Sequence, residues 1–350
     1  MVYSQDRLRA FTQSVFTTCG MPLEDAILAA DVLLSADLRG IDSHGVARLS
    51  GYVRLQEAGR ANMHAMHKVI HETPSTATID ADQGLGLVVA PKAMDIAIEK
   101  AKNVGTGWVA IQNSNHFGIA GYHAMKALPH NMIGISMTNA SPLVAPTFSK
   151  ERMLGTNPIC IAFPSGKQVP FVVDMATSNA ANGKLEIAQR SNKDIPLGWV
   201  QTKEGGDSEN ANELKSGGAL LPLGGHKGYG LGAAVDILSA VLSGANYGPW
   251  VPPFVAFLNP LENLPGNGIG HFLGAMRIDA FRPADDFKTH MDLWIQRFKD
   301  AQRIDPQQEV LIPGEPEHRM QQIREKEGIP LNNQVEADLQ ELAAKLGLSL

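Results

Sequence analysis

The sequence predicts an α/β fold that lacks the common Rossmann fingerprint. Short apolar runs alternate along the chain with segments of helical period. The composition, 44% hydrophobic and 19% charged over 350 residues, is that of an ordinary folded chain able to bury a sizeable core. The glycine runs, finally, do not follow a strand in the way a dinucleotide fingerprint requires.

Residues 4–18 and 22–39 carry the helical period, with Pro22 near the first turn of the second segment and Gly40 at its end. Asp42 and Ser43 are good N-cap types, and Val46, Leu49, Val53 and Leu55 follow at helical spacing, so a helix is predicted through about Ala58. Residues 68–71 and 76–80 read as an extended pair, followed by a helix over 90–103. The apolar run 108–112 is a buried strand, 120–129 is helical, and 133–137 is a second strand. Further strands are predicted at 158–163, 170–174, 254–258 and 272–278, and helices at 179–190, 228–243 and 284–300. Residues 201–218, rich in Gly, Asn, Ser and Glu, read as a surface loop. The tail from Glu315 to Leu350 reads as charged and helical, wrapped on the surface or on a partner subunit.

A net charge of −6 with no basic run speaks against nucleic acid as a partner. No 18-residue apolar run occurs and the N-terminus has no leader pattern, so neither membrane insertion nor export is expected. Cys19 and Cys160 form no CxxC motif and no disulfide framework, which fits a cytoplasmic location. An acidic substrate would need a local positive site.

The segment Asp37-Leu38-Arg39-Gly40-Ile41-Asp42-Ser43-His44-Gly45-Val46-Ala47-Arg48 offers such a site. On a helix His44 and Arg48 would share a face, Arg48 gripping a carboxylate and His44 a neighbouring hydroxyl or carbonyl. The segment also reads as an exposed helix start with a solvated pair. Asn113-Ser114-Asn115-His116-Phe117-Gly118 follows a strand and is expected to open a helix, which makes His116 a second acid/base or ligand candidate. Here too a plain reading exists, with Ser114 and Asn115 capping the helix. Gly155-Thr156-Asn157-Pro158 is a turn before a strand, and Asp174-Met175-Ala176-Thr177-Ser178 ends one strand and leads to a helix carrying Gly183-Lys184. Lys184 sits in the first turns, where the helix dipole disfavours a cation. Gly224-Gly225-His226-Lys227-Gly228 adds an imidazole and an ammonium in a flexible turn. Gly228-Tyr229-Gly230-Leu231-Gly232-Ala233 matches the relaxed G-x-G-x-x-A form, but Pro222 and two glycines precede it and no acidic residue follows at the required distance.

These segments, with Pro313-Gly314-Glu315, resemble the type 2 malate/L-lactate dehydrogenase family in order and spacing across residues 1–320. The resemblance implies a family-specific non-Rossmann NAD(P)-binding fold with a mixed sheet core and a flanking helical region, NAD or NADP as cofactor, a small carboxylate substrate and a homodimer. It implies a substrate site at His44, Ser43 and Arg48, with Thr156 nearby and His116 as proton acceptor. Cofactor contacts would come from Ser141, from Asp174, Met175 and Ala176, from His226 and Lys227, and from Ile312, Pro313, Gly314 and Glu315. Residues 1–70 would form a helical region carrying part of the substrate site, 71–310 the α/β core, and 311–350 a tail closing on it.

The expected activity is hydride transfer between a nicotinamide cofactor and a small 2-hydroxy or 2-oxo acid of the malate, lactate or sulfolactate kind. The alternative is reduction of a cyclic imino acid or a diketo sugar acid. Lys184 stands where imino-acid reductases of the family carry an aspartate, and a lysine suits a developing alkoxide better than an imine. His123 stands where a second aromatic is expected, so the adjacent substrate wall is expected to differ. Which histidine moves the proton stays open: Arg48 favours a neutral, accepting His44, and the resemblance points to His116. Two other classes remain. His64, His67 and His71 would share a face if helical, as in a metal hydrolase, though no Cys or carboxylate completes the set and no metal is expected. A cofactor-binding protein without turnover would lack His44, Arg48 or His116, and all three are present.

Overall fold

The computed structural model describes residues 1–190 and 192–350. The chain opens with β1 (Val2–Tyr3) and the helices α1 (Gln5–Thr18) and α2 (Leu23–Leu38). Ser4 caps α1 by accepting the Arg7 N–H, and Leu8, Phe11, Val15 and Phe16 fall on its buried stripe. α2 is buried over most of its length, its small Ala26, Ala29 and Ala30 allowing close approach of its neighbours.

The helix expected from Asp42 does not begin there. Two short 3₁₀ turns, Asp42–His44 and Val46–Arg48, precede α3 (Leu49–Glu57). Gly45 separates them with ψ −143°, and a Cβ at that position would overlap the Asp37 carboxylate. His44 and Arg48 therefore do not share a regular helical face. Nor do Asp42 and Ser43 cap a helix; Asp42 instead pairs with Arg324.

The following elements are β2 (Lys68–Glu72), β3 (Thr76–Asp80), α4 (Gly86–Val104), β4 (Thr106–Ser114), α5 (Ala120–Met125), β5 (Met132–Thr138), β6 (Ile159–Phe163) and β7 (Phe171–Met175). Then come α6 (Asn182–Arg190), β8 (Val200–Gln201), β9 (Asp207–Ser208), β10 (Ala219–Leu220), α7 (His226–Asp236), β11 (Ile269–Arg277), α8 (Ala284–Lys299), α9 (Glu315–Glu327), β12 (Ile329–Pro330) and α10 (Asn333–Leu346). Seven strands form the central mixed sheet in the order β2-β3-β4-β11-β5-β6-β7, in which β3 and β4 run parallel and the other pairs antiparallel. β11, late in the chain, thus lies between β4 and β5. Ala90, Ala93, Ala97 and Ala101 of α4 and Ala124 of α5 pack with Val109, Ile111, Cys160 and Leu273 of the sheet in one core. A second core joins α1, α2 and α3 to Ile329, Leu339 and Leu342. The end of the tail thus lies on the chain's own N-terminal helices, with β12 paired to β1.

Four local expectations are corrected. Residues 201–218 are no plain loop, because β8, β9 and β10 make a small antiparallel sheet whose two-residue strands are too short to show alternation. Residues 254–258 are not a strand: Pro252, Pro253 and Pro260 surround them and no ladder partner meets them among the described residues. β4 extends through Ser114 and α5 starts only at Ala120, so Asn113–Gly118 does not open a helix. His226 and Lys227 lie on the first turn of α7, not in the preceding turn, and that helix continues into a π-helical turn over Ile237–Val241.

Candidate active site

The 42–48 turns, α3, the 115–119 loop after β4 and the irregular segment around Phe254 converge on one cluster. His44 and His116 stack with ring centroids 5.6 Å apart and planes 28° from parallel. Phe254 lies 4.9 Å from His116, 5.2 Å from the Tyr52 ring and 5.9 Å beneath the Arg48 guanidinium carbon. Arg48 Nε donates to the Ser43 carbonyl at 2.6 Å, which folds its side chain back over the turn. Ser43 Oγ and His44 Nδ1 are 2.8 Å apart, so these adjacent side chains meet. The 3₁₀ geometry permits it.

Tautomers follow from the bonds. The Gly118 N–H points at His116 Nδ1 at 3.3 Å, and Tyr52 Oη lies 2.6 Å from the same nitrogen. Nδ1 therefore holds the lone pair, Tyr52 donates to it, and the neutral ring carries its proton on Nε2. Burial first, then the Arg48 charge, pushes His44 down to about 4. Burial, followed by His44 and Arg48, holds His116 well below its ordinary value. Both imidazoles are neutral near pH 7, next to a fixed positive charge.

The supports are buried polar contacts. Asp37 is 1% exposed; its Oδ2 accepts the Val46 N–H at 2.8 Å, and burial raises its carboxyl to about 8. Arg324, on α9, grips the Asp37 carbonyl and the Asp42 carboxylate, fastening the C-terminal region to the His44 turn. Behind His116, His271 of β11 bridges Thr138 Oγ1 at 2.7 Å and Ser114 Oγ at 2.8 Å. Phe117 packs between His271 and His123, whose Nε2 donates to the Phe117 carbonyl at 2.8 Å. His123 is fully buried behind the loop, so the expectation that it alters the substrate wall is corrected.

The remaining predicted residues fall into separate groups. Ser141 Oγ donates to the Pro252 carbonyl and accepts the Phe254 N–H, both at 3.2 Å, and so holds Phe254 against the histidines. Thr156 offers its carbonyl to the Thr177 N–H and hydroxyl, while buried Asn157 ties Ala140 to Gly232. Gly183 approaches Ser43, a Cβ there standing 3.1 Å from the Ser43 Cβ, but the Lys184 ammonium lies 5.7 Å over the Trp199 ring. His226 and Lys227 are exposed. Asp174 and Met175 end β7 and Ala176 follows; Asp174 Oδ2 accepts the Gly121 N–H at 2.7 Å, and crowding by protein raises its carboxyl to about 6.

Asp174 and Ile312–Gly314 line a cavity of about 300 Å³, where the Pro313 carbonyl accepts the Val172 N–H at 3.0 Å and Gly314 takes φ +91°. Two chain segments far apart in sequence, both expected at a cofactor, thus share one recess large enough for part of a nucleotide. Ile312 and Glu315 are buried, and the Glu315 carboxylate turns inward to Lys299 at 2.6 Å and Arg319 at 2.7 Å. His64 and His67 line a different cavity with Asp25 and Lys92, while His71 lies on β2; the described residues contain no group of three metal-ligating side chains. Sequence alone gives no site role to Tyr52, Phe254 or Arg324, and names Asp37 only as the first residue of the segment that carries His44. Tyr52, four residues beyond Arg48, was within reach of a helical-spacing argument; Phe254 was not.

The malate/L-lactate dehydrogenase profile matches residues 3–340. The malate dehydrogenase of Pyrococcus horikoshii is 45% identical over 98% of this chain and 95% of its own length. The L-sulfolactate dehydrogenase of Methanocaldococcus jannaschii is 39% identical, covering 100% of this chain and 98% of its own. A solved structure of the sulfolactate dehydrogenase from that organism superposes with a TM-score of 0.91, at 39% identity over 100% of this chain and 98% of its own.

Proposed function

The chain belongs to the malate/L-lactate dehydrogenase family of NAD(P)-dependent oxidoreductases, and we propose that its own substrate is a small 2-hydroxy or 2-oxo acid of the malate, lactate or sulfolactate kind. The observation that carries this reading is the neutral, stacked His44–His116 pair beside Arg48. A 2-hydroxy acid needs a cation for its carboxylate, an acceptor for its hydroxyl proton and a donor to hold the resulting oxygen. Arg48 supplies the first. His44, neutral and free of a second charge-assisted partner, accepts the proton. His116 presents Nε2–H, held in that tautomer by Gly118 and Tyr52, and donates to the substrate oxygen. Lys184 follows Gly183, which lies against Ser43, but its ammonium sits over the Trp199 ring, so its side chain would have to swing toward the site to add positive potential to the developing alkoxide. Thr156 is assigned to the substrate side, and Ser141, expected at the cofactor, instead keeps the Phe254 ring in place as an apolar wall of the site.

The recess at Asp174 and Ile312–Gly314 has room for a nucleotide portion, and Met175, Ala176, His226 and Lys227 are assigned to the cofactor beside it, whereas the Glu315 carboxylate, expected at the cofactor, is bonded inward to Lys299 and Arg319 and holds that segment. When bound, the nicotinamide takes or supplies the hydride at the substrate carbon. Exposed Ile237 and Val241 on the π-helical turn and Leu242 just after it, with Phe257 and Leu261, support a homodimer. Two free cysteines support a cytoplasmic location. No helix among the described residues is long and apolar enough to cross a membrane.

The test is a panel of 2-oxo acids, cyclic imino acids and diketo sugar acids assayed with NADH and with NADPH, with and without chelator. Turnover of at least one 2-oxo acid, insensitive to chelator, is expected. Turnover of the imino or sugar acids alone would transfer the activity to the alternative, and silence across the panel refutes the reading.

A further inference from the structure

α3 holds Arg48 at its N-cap and Tyr52 in its middle, and its other end also reaches the segment that carries Phe254. Gly59 takes φ +68° just past the helix, the Gly59 N–H returns to the Gln56 carbonyl and the Arg60 N–H to the Leu55 carbonyl, both at 2.9 Å. This left-handed termination fixes where Arg60 leaves the helix. Arg60 Nη1 donates to the Leu258 carbonyl at 2.9 Å and to the Val255 carbonyl at 3.3 Å, and Nη2 donates to the Pro253 carbonyl. Among the described residues no carboxylate pairs with this half-buried guanidinium. Three carbonyls of one short segment take its donors instead.

Residues 253–258 depend on being held from outside. Pro252 and Pro253 have no N–H to donate, and the segment's own turn is a bond from the Leu258 N–H to the Val255 carbonyl at 3.2 Å. Among the described residues, hydrogen bonds tie this stretch to the rest of the chain at two places, the Ser141 hydroxyl and the Arg60 guanidinium. The Phe254 ring has little room to shift: a Cβ on Gly51 of α3 would stand 3.0 Å from it, and His116 lies on its other flank. Arg60 also abuts the loop that carries His116. Its own carbonyl accepts from Asn115 Nδ2 at 3.3 Å, beside the Gln83 carbonyl at 2.8 Å.

We propose that Arg60 is a positioning residue that clasps residues 253–258 onto α3 and thereby sets how large a substrate the site accepts. With the clasp closed, the Phe254 ring bounds the space over Arg48 and His116, and a 2-oxo acid with a small substituent fits beneath it. With the segment released, a bulkier acid enters and a small one is held less tightly. Lysine is a poor replacement, because a single ammonium does not span the three carbonyls that a planar guanidinium fork reaches. The proposal rests on the 2-hydroxy/2-oxo acid reading and adds to it a residue that touches neither substrate nor cofactor.

The experiment compares the full chain with Arg60→Met and Arg60→Lys in two ways. Amide hydrogen exchange, read by mass spectrometry without substrate, should quicken by about tenfold or more over residues 253–258 in Arg60→Met and keep its wild-type rates over α1 and the central sheet. In steady-state kinetics, KM for the smallest 2-oxo acid turned over should rise by about tenfold with a smaller fall in kcat, and the ratio of kcat/KM for phenylpyruvate to that for the small acid should rise by about tenfold. Arg60→Lys should lie between the two, and it decides the matter if Arg60→Met does not fold. Wild-type exchange over 253–258 overturns the proposal. So does a general loss of thermal stability with an unchanged substrate ratio, which would leave Arg60 a merely structural part of the fold. A wild-type protein that turns over no 2-oxo acid overturns the substrate reading beneath the proposal, and the size limit with it, while the exchange result still decides whether Arg60 holds the segment.

Discussion

Replacing Asp37 by Asn tests whether the His44 turn rests on a protonated carboxyl. The side chain is 1% exposed, and burial lifts its pKa from 3.8 to about 8, against the lowering effect of the Val46 N–H. Between those values the folded protein holds a proton that the unfolded chain releases, so this group's contribution to stability falls as pH rises. Each unit corresponds to about 1.4 kcal/mol, which makes the cost at pH 7 about 4 kcal/mol. Asparagine keeps an oxygen for the Val46 N–H and carries no charge in either state. Denaturant unfolding of wild type and Asp37→Asn at pH 5, 6.5 and 8 should show the difference moving in favour of Asn by about 1.4 kcal/mol per pH unit. Parallel pH profiles would show that Asp37 is ionised when folded and would refute the reasoning. Asp37→Ala should lie about 1–3 kcal/mol below Asp37→Asn at every pH, since the buried Val46 N–H loses its acceptor.

Gly45→Ala should unseat the same turn, because the new Cβ would overlap the Asp37 carboxylate; a loss of activity larger than the loss of thermal stability, measured on one preparation, is expected. Arg48→Met should lower kcat/KM by about 10–100-fold while direct titration shows nucleotide affinity unchanged; equal loss of nucleotide binding would remove Arg48 from the substrate. His44→Asn and His116→Asn should each reduce activity by about 10²–10⁴-fold, with the acid limb of the pH–rate profile vanishing only for His44; its loss in the His116 variant alone would reverse the two roles. Because His44, held near 4, stays neutral when folded and is protonated when unfolded, it withdraws stability as pH falls below 6.5, and His44→Asn should flatten thermal stability over that interval.

The regular parts of the fold were legible because local period and burial agree. α1, α2 and α8 show it, as do β3, β5 and β6, whose inward residues alternate. The site was legible as a set of residue types but not as geometry. Helical spacing put His44 and Arg48 on one face, whereas the Asp37 carboxylate occupies the space beside Gly45 and divides that segment into 3₁₀ turns. Tyr52 and Phe254 escaped for different reasons: the first looks like an ordinary core aromatic on α3, and the second reaches the site through the Ser141 bonds to a proline-rich segment.

The position of β11 also governs how the molecule is made. β4 and β5, which deliver Ser114 and Thr138 to the site, each present a bare edge until residues 269–277 have been synthesised. Antiparallel pairing over so long a separation closes late, and an exposed apolar edge is an aggregation template while it waits. A nascent chain that stops before Ile269 therefore has its sheet split down the middle, with β2, β3 and β4 on one side and β5, β6 and β7 on the other. His271 arrives with the strand that joins them, so completion of the sheet and alignment of the two loops around His116 are one folding event.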